Sequence, residues 1–136
     1  MNEQQKQMNE QQKQNLQDWI DALRSGDYIQ TRDRLHVTDT CEYCALGVAC
    51  EISGLGEWDV YGSYDIPDDD AGLTPVMPKP VALSMGLHKC NPSVVYRGET
   101  YNISQLNDDL CLSFEAIANL IEEQLLGVHI QSNSNK

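Results

Sequence analysis

The stretch CEYCALGVACEI, residues 41–52, decides how this chain folds. It is apolar on nearly every side, which suits a helix enclosed by other elements better than one lying on a surface. Ser53-Gly54 closes it, glycine being favoured just past a helix end. Gly47 in its middle costs up to ~1 kcal/mol against alanine unless something must come close there. The segment is therefore expected at the centre of the core, with the first or the last helix pressed against Gly47.

Upstream, Leu16, Trp19, Ile20 and Leu23 recur at helical spacing, while Gln17, Asp18, Asp21 and Arg24 fall outside the stripe. Gly26 ends that helix. Residues 27–39 set Tyr28, Ile29, Leu35, His36 and Val37 among charges, a pattern for an extended segment or short strand. Downstream, residues 54–78 are rich in glycine and proline and read as a loop-rich insertion, with EWDVY and SYDI as its strand-like pieces. PKPVALSMGL reads as a short helix opened by Pro80 and closed by Gly86. SVVY and ETYN flank Arg97-Gly98 as a β-hairpin. ISQLND gives one or two helical turns. SFEAIANLIEEQLL is the last helix, with Ser113 as its N-cap, Ile117, Leu120, Ile121 and Leu125 as its buried stripe and Gly127 at its end.

These elements predict an α+β fold, with three or four helices around a buried central helix and a small antiparallel hairpin or sheet on one side. The chain has 136 residues, about one ordinary domain. Residues 1–14 are two copies of MNEQQKQ, and only Met1 and Met8 recur as apolar positions, too few for a coiled-coil seam. They are read as a polar extension dispensable for folding, residues 15–127 as the single globular domain, and 128–136 as a polar tail. Met8 is a second candidate start.

Nine Lys and Arg against 21 Asp and Glu give a formal charge of −12, a field that disfavours direct nucleic acid binding and anionic membranes and favours a basic partner. No apolar run approaches the roughly 18 residues that span a bilayer, and the N-terminus lacks the pattern of a secretory signal. A cytoplasmic location with five reduced cysteines is the expectation.

His36, Cys41, Cys44 and Cys50 supply four metal-ligand types, yet the second paired cluster of a structural zinc site is reduced to His88 and Cys90, with Cys111 elsewhere. Cys44 and Cys50 fall in the apolar run, where free cysteine acts as a small hydrophobe. The reading is therefore no metal and no cofactor. Nothing resembles a cysteine-nucleophile signature. Asp65, Asp68, Asp69 and Asp70 lack the ligand order of an EF-hand and read as an acidic loop presented to a protein partner. Tyr28, Gln30, Arg32 and Arg34, with Asn107, Asp108 and Asp109, leave helix ends, where binding groups are commonly carried. They form a candidate small-ligand or nucleotide site, and the plainer alternative makes Asn107-Asp108 a turn before the last helix.

WIDALRSGDYIQ, CALGVACEI and LNDD followed by SFEAIANLIEE together resemble a family of small uncharacterised proteins of bacteriophages, bacteria and cyanobacteria, over residues 16–126. The resemblance implies a phage or prophage context and carries no activity or functional residues with it. The chain is read as a non-enzymatic, phage-type accessory protein. It would act in the host cytoplasm by binding and inhibiting or sequestering a host defence component with a basic surface, nucleic-acid mimicry being one form. Two alternatives stand beside it, a small-molecule or nucleotide sponge and a small metal-dependent enzyme. The oligomeric state stays open, a homodimer included.

Overall fold

The computed structural model describes residues 8–67 and 76–127. The architecture is α+β. Helix α1 (Glu10–Arg24) buries Leu16, Trp19, Ile20 and Leu23. Its N-terminus is closed by a capping box, Asn9 Oδ1 accepting from Gln12 N at 2.8 Å and Gln12 Oε1 from Asn9 N at 2.9 Å. The expected domain boundary at residue 15 thus falls inside a helix. From Met8 onward the second MNEQQKQ copy belongs to the domain: Met8 packs beside Gly86, and Gln12 Nε2 donates to Leu83 O at 3.1 Å. The first copy, Met1–Gln7, and the tail at 128–136 lie outside the described residues.

The central helix α2 (Ala45–Ser53) is shorter than the apolar run suggests. Its first residues are taken by a strand, and Cys41 stands at φ +54°. Strands β1 (Ile29–Gln30), β2 (His36–Val37) and β3 (Glu42–Tyr43) form a sheet in the order β1-β3-β2, β1 parallel and β2 antiparallel to β3. Tyr43 is drawn into that sheet by its ring contacts, and the chain turns helical only after Cys44. Gly54, at φ +67°, ends the helix as expected. Something does press on Gly47, but it is neither helix: a Cβ there would stand 1.9 Å from the carbonyl oxygen of Leu35. That carbonyl also accepts from Cys44 N at 3.0 Å, so the 35–36 backbone is laid directly on α2.

Strands β4 (Glu57–Trp58) and β5 (Tyr64–Asp65) pair antiparallel within the loop-rich insertion. Helix α3 (Lys79–Ser84) carries Pro80 in its first turn. Strands β6 (Ser93–Tyr96) and β7 (Glu99–Asn102) form the expected hairpin, Arg97 and Gly98 both at positive φ as a two-residue turn requires. Helix α4 (Ile103–Asp108) follows, then α5 (Phe114–Ile121), where Ser113 Oγ accepts from Ala116 N at 3.1 Å. A π-turn over residues 122–126 inserts one residue. Leu126 instead of Leu125 therefore continues the buried line of Phe114, Ile117, Ala118 and Ile121. Leu120 and Leu125 are only half-buried. The core closes where α1 packs on α2 and α5, with the Trp19 indole donating to Ala45 O at 2.9 Å.

Candidate functional site

One buried amide fixes the position of the first sheet. Asn107, wholly buried at the end of α4, accepts at Oδ1 from Gln30 Nε2 at 2.8 Å and from Ala45 N at 3.2 Å. Its Nδ2 donates to Thr31 O and to Asp108 Oδ1, both at 2.8 Å. The N-cap of α2 is Cys44, whose side chain makes no cap hydrogen bond, so a distant asparagine caps the central helix in its place. Asp108 Oδ1 also accepts from Asp33 N at 2.9 Å, and Gln30 Nε2 donates to Leu112 O at 2.8 Å. Gln30, Asn107 and Asp108 are thus brought together as the sequence suggests, but turned toward one another. Arg32 and Arg34 flank the pinned Asp33, are exposed, and form no ion pair or side-chain hydrogen bond among the described residues.

On the inner face of this sheet the rings pile up. His36 lies 4.4 Å from Tyr43 and 4.5 Å from Trp58 between ring centroids, Trp58 lies 4.8 Å from Tyr64, and Tyr28 meets Tyr43 edge-on at 5.4 Å. His36 is buried, and its Nδ1–H donates to Glu42 O at 3.0 Å, since a carbonyl can only accept. Glu51 Oε1 accepts from the Trp58 indole at 2.8 Å and from the Tyr43 hydroxyl at 3.5 Å. Burial, and after it the Glu51 carboxylate, push the Tyr43 hydroxyl up to about 12. Tyr28 is raised for the same reasons. These tyrosines stay protonated at any ordinary pH and serve as packing, so the stack acts as a rigid backing.

In front of that backing, between β2 and the turn joining β4 to β5, lies an open hollow of about 460 Å³. Asp33, Arg34, Val37, Thr38, Asp39, Val60 and Tyr61 line it together with His36. The turn is tied to the sheet: Gly62 lies so near β2 that a Cβ would stand 2.0 Å from His36 O, and Thr38 Oγ1 donates to Asp59 O at 3.2 Å. A smaller hollow of about 160 Å³ between α1, α2 and α3 has its Asn15 and Ser53 side chains already engaged, with Ser84 O and Cys50 O.

The charge is unevenly spread. Residues 27–70 hold eleven of the 21 Asp and Glu but two of the nine Lys and Arg, which puts −9 of the formal −12 in this one stretch. Among its described carboxylates, Asp27, Asp33, Asp39, Glu51, Glu57 and Asp65 are exposed. Asp68, Asp69 and Asp70 lie outside the described residues.

The cysteines do not gather. Among the described residues no three His, Cys, Asp or Glu side chains form a group that could hold a metal ion. Cys44 and Cys50 are buried, Cys41 and Cys111 exposed and Cys90 half-buried. Burial pushes the Cys44 thiol up to about 11 and raises Cys50 further, so both are protonated and poor nucleophiles.

Sequence reasoning missed Trp58, Asp59, Val60 and Tyr61 as parts of a site. The sign was present in EWDVYGSY, where aromatic residues stand on both sides of a turn glycine. No curated protein and no solved structure among those compared matches the chain. A family model described as a domain of unknown function, DUF8296, matches residues 8–125. The chain belongs to the DUF8296 family.

Proposed function

We propose that this protein works by binding a basic protein partner through acidic side chains of the 27–70 stretch, without chemistry on that partner. The observation that carries the reading is the charge segregation: three quarters of the net charge sits on the segment that also frames the hollow. A concentrated single-sign face steers an oppositely charged partner and rejects nucleic acid and a second copy of the same chain. The finer reading is a phage-type accessory protein that inhibits or sequesters a host defence component in the cytoplasm. It draws on the resemblance to small phage proteins and on the acidity. Mimicry of a nucleic acid toward a basic channel fits the same charge pattern.

The test is binding to a Lys/Arg-rich peptide measured by fluorescence anisotropy from low salt to ~1 M salt, where the Debye length shrinks from ~10 Å to ~3 Å. Affinity should fall steeply with salt. It should also fall on changing Asp33 and Asp39, or Asp68, Asp69 and Asp70, to asparagine, with the thermal midpoint held. Absence of binding to any basic peptide at low salt refutes the reading.

One observation favours a second reading, a small anionic ligand or nucleotide. Arg32 and Arg34 are unpaired among the described residues, beside a backbone fixed by Asp108, and Arg34 lines the hollow with Thr38 and the exposed Tyr61 ring. Asp33 and Asp39 in the same lining oppose an anion. Thermal shift with nucleoside triphosphates, lost in Arg34→Ala, would bring this reading forward.

A further inference from the structure

We infer that the basic partner is gripped at the Val60–Tyr61 tip, and that it lays an extended segment with arginine and aliphatic side chains into the hollow beside that tip. This rests on the binding reading above. Val60 is 80% and Tyr61 82% exposed, more than any other large hydrophobic residue described. Single exposed apolar residues are ordinary on protein surfaces. An adjacent pair that the structure holds outward is a different matter.

The backbone of the tip is held by the hydrogen bonds of its own turn. Asp59 Oδ1 accepts from Tyr61 N at 2.8 Å and from Ser63 N at 3.0 Å. Asp59 O accepts from Gly62 N at 3.1 Å, and Asp59 N donates to Ser63 O at 2.9 Å. The turn is therefore closed by its own carboxylate, and its outer side is fastened to β2 through Gly62 and Thr38. A rigid aromatic anchor loses little conformational entropy on binding, which is why tyrosine serves so often at the centre of interfaces. Val60 and Tyr61 keep most of their apolar surface in water, and a partner that covers them recovers the hydrophobic burial that the fold leaves unused.

Charge complementarity selects the occupant. Asp33 and Asp39 line the hollow with Arg34, one net negative charge, inside a segment that carries −9. A guanidinium satisfies carboxylates and lies over a tyrosine face, and an aliphatic side chain suits Val37 and Val60. A nucleic acid strand meets the wrong sign, as does another copy of this chain.

The experiment compares two peptides of equal length and charge on the full chain at moderate salt, one alternating arginine with leucine and one alternating lysine with glycine. The arginine–leucine peptide should bind about tenfold tighter, the effect of one well-packed anchor. The double substitution Val60→Ser and Tyr61→Ser should abolish that advantage and leave the weaker, salt-sensitive binding that both peptides share. Val95→Ser, at an exposed apolar site on β6, should change nothing. Equal affinity of the parent for the two peptides, or a tip variant that keeps the advantage, overturns the inference while the charge reading stands. Binding of neither peptide overturns both. Tyr61→Ser alone, whose thermal midpoint should match the parent because the ring is exposed, gives the same comparison should the double variant fold poorly.

Discussion

Replacing Asn107 by alanine removes one amide that serves four hydrogen bonds, from Gln30 and Ala45 and to Thr31 and Asp108. Two of its partners keep a second bond: Gln30 to Leu112 O and Asp108 from Asp33 N. The Ala45 N–H has no other acceptor among the described residues and belongs to a wholly buried residue, so its stranding costs ~1–3 kcal/mol. Loss of the bond to Thr31 O adds ~1 kcal/mol, and the small cavity left by the amide a similar amount. The expected penalty is ~3–5 kcal/mol, a large part of the ~5–15 kcal/mol that holds a domain of this size. Guanidinium unfolding followed by tryptophan fluorescence measures it, because Trp19 reports on the helical core and Trp58 on the ring stack. The midpoint should fall sharply for both.

The substitution Asn107→Asp sharpens the test. It retains the acceptors and replaces the donors with a carboxyl that faces Thr31 O and Asp108 Oδ1. Burial and the neighbouring carboxylate disfavour its charge, so its pKa is raised in the folded state. A raised carboxyl pKa means that the folded state binds more protons than the unfolded one. Its penalty relative to the parent should therefore be smaller near pH 4 than at pH 7 and grow as pH rises through the unfolded value toward the folded one. A cost below ~1 kcal/mol for Asn107→Ala, or a penalty for Asn107→Asp that shrinks as pH rises, refutes the view that this amide fastens the sheet to the helices.

Gly47→Ala should lower stability by ~1–3 kcal/mol by denaturant titration, because forcing a Cβ against the Leu35 carbonyl outweighs the helix-propensity gain of up to ~1 kcal/mol; a more stable variant would refute the contact. Deleting Met1–Gln7 should leave the thermal midpoint within a degree or so, whereas deleting Met1–Gln14 removes the capping box and Met8 and should lower it by several degrees. A thiol reagent should modify Cys41 and Cys111 quickly and Cys44 and Cys50 only on unfolding, as burial holds the latter pair protonated and covered.

What the sequence discloses of this fold is what local chemistry determines. The stripe of α1, the Ser113 cap, the Gly54 stop and the Arg97-Gly98 turn each depend on neighbours within a few residues, and all stand where the pattern puts them. Glu42 and Tyr43 are different. Nothing nearby separates them from the helix that follows, and their strand is fixed by Tyr28, His36 and the backbone at Ile29, which lie 6–15 residues upstream. The need for a close approach at Gly47 is legible from a glycine in a buried helix, but the partner is a loop carbonyl with no sequence mark of its own. The candidate site divides in the same way. Gln30, Asn107 and Asp108 were recognisable as polar groups that belong together, while their facing inward, with both ends of the Asn107 amide engaged, is a tertiary fact. Val60 and Tyr61 escaped notice because an exposed apolar pair in a turn has no period.

Residues 27–70 carry −9 in sequence, and the described part, residues 27–67, is held in place by something other than ion pairs. Both ion pairs among the described residues, Glu10 with Lys13 and Arg24 with Glu122, lie outside residues 27–67. Beside the hydrogen bonds accepted by the Asp108, Glu51 and Asp59 carboxylates, much of the fastening of that span is neutral: amides at Gln30 and Asn107, stacked rings from Tyr28 to Tyr64, and backbone laid against Gly47 and Gly62. The neutral interactions are not screened by salt, whereas the exposed carboxylates are. Salt should accordingly weaken partner binding far more than it alters stability. Removing a carboxylate that accepts no hydrogen bond among the described residues, such as Asp39, should relieve repulsion and leave the fold unharmed or slightly firmer, at the expense of capture. Such a division, with a largely neutral scaffold carrying an excess of negative charge, is what the proposed binding of a basic partner requires.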